Sequence, residues 1–113
     1  MKGIGGNKTA QLQIKTSPTK NEIGENVNQW QIAHQIVGWL DLMNGDSKYT
    51  NFNTKAQEST HIFVSDYVVL NDNVEAENSR MVIDGRNYDV MLIDDPMEMH
   101  KQLEIYLKYT GGV

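Results

Sequence analysis

No cysteine occurs among the 113 residues. Disulfides, thiolate catalysis and cysteine-ligated metal are therefore excluded. Proline is almost as scarce, at two residues, Pro18 and Pro96, so each marks a specific break in an otherwise unobstructed backbone. Long apolar runs are missing as well. The best candidate, Ile32 to Met43, is interrupted by His34, Gln35 and Asp41, and a membrane-spanning helix needs about 18 consecutive apolar residues. The opening Met1-Lys2-Gly3-Ile4-Gly5-Gly6 lacks the apolar centre of a signal peptide, from which we expect a cytoplasmic origin. Positive charge is in deficit: ten Lys and Arg against fifteen Asp and Glu leave a net charge of -5. A phosphate backbone would be repelled overall, so a sequence-specific nucleic-acid reader is not expected.

What remains suits one small domain. The length allows a single core and is too short for two ordinary ones, and the 39% apolar fraction with a mean hydropathy of -0.53 predicts a modest core beneath polar loops. Period-two alternation dominates. In Lys8 to Lys15, Ala10, Leu12 and Ile14 point one way and Gln11, Gln13 and Lys15 the other, the pattern of a half-buried strand. Thr16 to Asn26 carries turn formers around Pro18 and Gly24. A long second strand starts at Trp30, with Ile32, Ile36, Leu40 and Leu42 on one face; this parity puts Trp30 and Trp39 on opposite faces, and Gly38 is read as a bend or bulge at a barrel corner.

Ser59 to Leu70 reads as a strand, and acidic, turn-rich Asn71 to Ser79 follows with a helical turn placed near Asn73 to Glu77. Met81 to Ile83 and Tyr88 to Ile93 flank Asp84 and Gly85, a pair suited to a two-residue hairpin because glycine takes positive φ without a Cβ clash. Pro96 ends that hairpin by removing a ladder donor and keeping Asp95 out of the α region. The last segment fits both periods. The concentration of Ile and Tyr favours a short turn over Pro96 to Met99 and a strand from Lys101 to Tyr109. The fold expected is all-β: a small, partly open barrel of about six strands in one domain over residues 1–113, with a flexible N-terminus at 1–7 and at most short helical turns.

The exception to the alternation is the stretch Asn44, Gly45, Asp46, Ser47, Lys48, Tyr49, Thr50, Asn51, Phe52, Asn53, Thr54, Lys55, Ala56, Gln57 and Glu58, which has no sustained apolar period. Structureless connections this long are uncommon inside compact domains unless they are functional or disordered. A mobile surface loop is one reading, and a segment reserved for partner subunits is the other.

Catalytic chemistry finds little support. His34, His61 and His100 fall on three different elements without zinc-like spacing. Asp94 and Asp95 are adjacent strand residues and so face opposite ways, which separates them as an acid–base pair unless a bulge intervenes. Gly3 to Gly6 lacks the Lys-Ser/Thr ending of a phosphate loop. Met91, Met97 and Met99 read first as gap-fillers of a small core and second as an adaptable binding surface. No cofactor, metal or enzymatic activity is expected.

The Glu58-Ser59-Thr60-His61 entry into a strand, Arg80 leading to Asp84-Gly85-Arg86-Asn87-Tyr88-Asp89-Val90, the Ile93-Asp94-Asp95-Pro96 break and Leu103-Glu104-Ile105-Tyr106-Leu107 follow one another in the order and spacing of a known family. Over roughly Leu12 to Gly112 the chain resembles the head-closure (head–tail joining, or stopper) proteins of long-tailed bacteriophages. The resemblance implies a small β-barrel that joins a homo-oligomeric ring beneath the portal and its adaptor after DNA packaging. Such a ring retains the genome and offers the docking surface for tail proteins, with packaged DNA met only in the channel and no membrane involved. The protein would reside in the virion, and in the host cytoplasm during assembly. Residues Asn44 to Glu58 map onto the family's loop that projects into the channel and meets its copies, and their weak charge suits a gate that blocks DNA without adhering to it. Alternatives are a tail terminator or completion protein and a small-ligand-binding or enzymatic barrel, the latter requiring an enclosed pocket with convergent polar groups and favoured by one that carries His61 or Asp94 with a bound ligand.

Overall fold

The computed structural model describes residues 5–16, 19–20, 23–24, 26–27, 29–43 and 58–109. Eight strands follow in chain order: β1 (Lys8–Lys15), β2 (Thr19–Lys20), β3 (Asn26–Val27), β4 (Trp30–Leu42), β5 (His61–Asp66), β6 (Ser79–Ile83), β7 (Arg86–Asp94) and β8 (Gln102–Tyr109). Six of them close an antiparallel barrel in the order β1-β4-β5-β8-β7-β6, while β2 and β3 pair separately. Closure is complete because β6 returns to β1, with Ala10 opposite Ile83 and Ile14 opposite Ser79. The expected six-strand all-β barrel is thus present, and the opening foreseen in it is filled by this pairing, which leaves no unpaired barrel edge. Among the described residues the only helical elements are single 3-10 turns at Ala76–Asn78 and Pro96–Glu98.

The alternation explains the core. Ala10 and Leu12 of β1, Phe63 of β5, Met81 and Ile83 of β6, and Ile105 and Leu107 of β8 are all at most 1% exposed. These belong to one cluster that also takes in Tyr88, Val90 and Leu103, and its burial is the main stabilising term for a domain of this size.

Gly38 is not a bulge. Its pairing with Lys8 on one side and Ser65 on the other is regular. Glycine is required there because a Cβ would lie 2.8 Å from the Phe63 ring and against the Val64 carbonyl oxygen. The irregularity in β4 sits at Ala33: Leu12 pairs with His34 and the next β1 residue, Gln13, with Ile32. An extra residue reverses strand parity. Trp30 and Ile32 therefore share the outer face with Trp39, correcting the expectation that the two tryptophans face opposite ways. Leu42, expected inside with Ile36 and Leu40, is 78% exposed at the strand's end. A second irregularity, at Met91, lies between the Val90–Leu107 and Leu92–Tyr106 pairs.

The Asp84-Gly85 turn forms as read, with Ile83 paired to Arg86 and positive φ at both turn residues, 53° and 76°. β5 is shorter than Ser59 to Leu70: the Tyr67 amide still donates to the Lys101 carbonyl at 3.3 Å, after which the chain leaves the ladder. Gly5 to Asn7 stay near the wall, since the Asn7 amide donates to the Gly38 carbonyl and that of Gly5 to the Asp66 carboxylate.

Candidate functional site: the rim that carries the 43–60 connection

The strand directions place the β4–β5 connection, the β6–β7 hairpin and the end of β8 at one rim of the barrel. Residues 44–57 lie outside the described residues, so of the fifteen assigned to the loop only Glu58, an exposed turn residue, has a place in the structure. Both roots of the connection are defined, and both are held by Thr60. The Met43 amide donates to the Thr60 carbonyl at 2.8 Å, while the Thr60 amide donates to the Leu107 carbonyl at 2.8 Å. The Thr60 hydroxyl accepts from the Tyr109 amide at 2.8 Å and lies 2.8 Å from His61 Nδ1. The hydroxyl proton has two acceptors within reach, His61 Nδ1 and the Leu107 carbonyl oxygen at 3.5 Å. One residue thus ties β4, β5 and β8 together at the base of the loop.

His61 itself packs edge-on against Tyr88, with ring centroids 5.2 Å apart, and Tyr109 completes the cluster at 5.3 Å from Tyr88. Burial, reinforced by the Arg86 guanidinium, lowers the His61 pKa below its ordinary value. Beside the cluster, Lys8 and Asp84 form an exposed ion pair across the rim. The hairpin turn and the loop roots, far apart in sequence, are therefore neighbours at one end of the barrel.

The histidines do not converge. His34 Nε2 accepts the Asn71 amide at 3.1 Å, and His100 meets Asp95 through Nδ1 at 2.5 Å at the opposite rim. No group of three His, Asp or Glu among the described residues could hold a metal ion. Asp94 points outward opposite Glu104, whereas Asp95 is turned to His100.

Met97 and Met99 are 88% and 51% exposed and do not fill the core. They lie past the end of β7, in a turn where Met97, Glu98 and His100 all take φ near 55°, so strand parity no longer directs their side chains inward. The methionine at the centre is Met81. Its place in strand alternation was readable, but its packing partners come from distant strands. At this far rim a cleft of about 250 Å³ opens between Tyr67, Leu70, Ile93, Asp95 and Leu103. It holds neither His61 nor Asp94, and the Asp95 carboxylate on its edge is already bonded to His100.

Neither the family models nor the curated proteins compared with this chain match it. Solved structures do. The chain is similar over its whole length to the solution structure of protein SF1141 from Shigella flexneri 2a, with a TM-score of 0.66, 15% identity and 98% of each chain covered. It is also similar to a chain in the virion of a native gene transfer agent particle, with a TM-score of 0.55, 13% identity and coverage of 89% of this chain and 91% of that one. At these identities the likeness is one of fold, extending over nearly all of each chain.

Proposed function

We propose that this chain is a virion structural protein, and within the virion a head-closure subunit. Copies would form a ring below the portal and adaptor, close the DNA channel after packaging and present the surface to which a tail attaches. The observation that carries this reading is the likeness, over 89% of this chain, to a chain of a virion particle. It accords with the ordered motifs from Glu58 to Leu107 that resemble the head-closure family. The rim supplies a physical rationale. A long polar connection whose roots are pinned by Thr60 to three strands can vary in length without entering the core, so a gate carried there costs the barrel little. No bond is made or broken in this mechanism; assembly and obstruction suffice.

The test is a pair of measurements on a chain shortened between Gly45 and Gln57: thermal unfolding of the protein, and the DNA content of heads completed with it. Unfolding should remain cooperative at nearly the same temperature, because closure entropy depends only weakly on loop length, while heads should lose their genome. Normal DNA retention by the shortened chain would remove the gating role. Failure of the intact protein to bind portal–adaptor complexes in negative-stain images would remove the connector assignment itself.

A further inference from the structure

Two outer walls of the barrel differ in chemistry in a complementary way. On one, a cross-strand row runs Val64, Glu104 and Asp94 through β5, β8 and β7. Val64 of this row is half-buried. Glu104 and Asp94 are directly opposed like charges, an arrangement that destabilises a sheet when nothing compensates it. Among the described residues Glu104 has Gln102 as its hydrogen-bond partner and no cation.

The other wall reverses this. Trp30 is flanked by the Lys15 ammonium, 5.5 Å from its ring centre, and by the Arg80 guanidinium at 4.2 Å. Arg80 donates through Nε to Gln13 at 2.8 Å and forms no ion pair with a carboxylate among the described residues, even though Asp89 is its cross-strand neighbour. Ile32, 48% exposed, adjoins this cluster opposite Gln13. In the closed order β1-β4-β5-β8-β7-β6, β1 stands across the barrel from β8 and β6 from β5. The acidic row, centred on β8 and flanked by β5 and β7, and the basic cluster, centred on β1 and flanked by β4 and β6, therefore occupy opposite walls of one subunit, each with apolar surface beside its charge.

We propose that these walls are the two halves of a head-to-tail contact between copies of this chain, with the Lys15–Trp30–Arg80 cluster of one copy seated on the Val64–Glu104–Asp94 row of the next. The inference names the partner surface within the ring reading above and rests on it. Distinct patches on opposite walls make a heterologous contact, which generates a ring where the rotation closes and a filament where it does not. A symmetric dimer would instead place like charge on like charge. Opposite charges then set register and approach, and the flanking Trp, Val and Ile side chains bury the apolar area.

The absence of cysteine makes the test direct. Gln11→Cys reports on the basic wall and Gln102→Cys on the acidic wall, and both leave the proposed charges in place. Under mild oxidation at high protein concentration, the mixture of the two variants should give an 11–102 disulfide, and each variant alone should give little product. Lys15→Glu should lower that yield roughly tenfold, and combining it with Glu104→Lys in the same chain should restore it. Arg80→Glu is a second charge reversal, accepted only where its thermal unfolding matches the parent. Disulfides formed equally well by either variant alone, or an 11–102 yield no higher than that of the rim variant Arg86→Cys mixed with Gln102→Cys, would overturn the contact. A protein that completes heads yet gives no 11–102 product loses this interface and keeps the connector reading. One that cross-links as expected but does not bind portal–adaptor complexes keeps the interface and loses that reading.

Discussion

The Thr60 hydroxyl accepts the Tyr109 amide at 2.8 Å and sits at the same distance from His61 Nδ1. It joins the end of β8 to the start of β5 at the point where the 43–60 connection returns to the barrel. Thr60→Val keeps the shape and removes the hydroxyl, leaving the Tyr109 amide and the His61 nitrogen without that partner. The expected cost is about 1–3 kcal/mol in urea unfolding, with Thr60→Ser losing clearly less. Equal stabilities for the two variants would show that the hydroxyl contributes nothing.

Stability should fall on acidification through His61. Burial and the Arg86 guanidinium depress its pKa below the ordinary 6.5, so the folded state favours the neutral ring while the unfolded chain takes up a proton more readily. The contribution is fully present above 6.5 and is lost as pH falls from there through the depressed folded value. In His61→Phe this component of the pH dependence should vanish over the interval below about pH 7. Parallel stability curves for the two proteins across that interval would contradict the assignment.

Gly38 and Phe63 should be energetically coupled. A Cβ at Gly38 meets the Phe63 ring at 2.8 Å, as well as the Val64 carbonyl, so Gly38→Ala is expected to cost about 1–3 kcal/mol by overpacking. Phe63→Leu alone costs packing in a site that is fully buried. Together the two should cost less than their sum, because the smaller side chain yields room, although the carbonyl contact remains. Strict additivity in a double-mutant cycle would show that the ring is not what excludes the Cβ.

The hairpin tests local chemistry. Gly85 has a φ of 76°, a region costly for residues with a Cβ. Gly85→Val should lower the unfolding temperature measurably, whereas Asp84→Asn, which tolerates the same backbone and forfeits only an exposed ion pair with Lys8, should cost at most about 0.5 kcal/mol. A larger loss from Asp84→Asn than from Gly85→Val would reverse this ranking.

Local sequence alone determined the elements whose signals are contained within a few residues. Alternation placed β1 at Lys8–Lys15, the Asp84-Gly85 pair predicted the hairpin, and Pro96 with the later Ile and Tyr residues separated a 3-10 turn from β8. The candidate site was legible only as a stretch without apolar period, plus the unremarkable Thr60 and His61 beside it. Tertiary structure decided the rest. The Ala33 bulge that turns Trp30 outward shows only in the pairing of β4 with β1, and no feature of β4 alone signals it. Barrel closure by β6, the convergence of Thr60, Tyr88 and Tyr109 on His61, and the opposition of acidic and basic walls all depend on pairing between residues distant in the chain. A period of two states which side of a strand is apolar; only the closed circuit of ladders states which strands stand opposite one another, and so which charges share a wall.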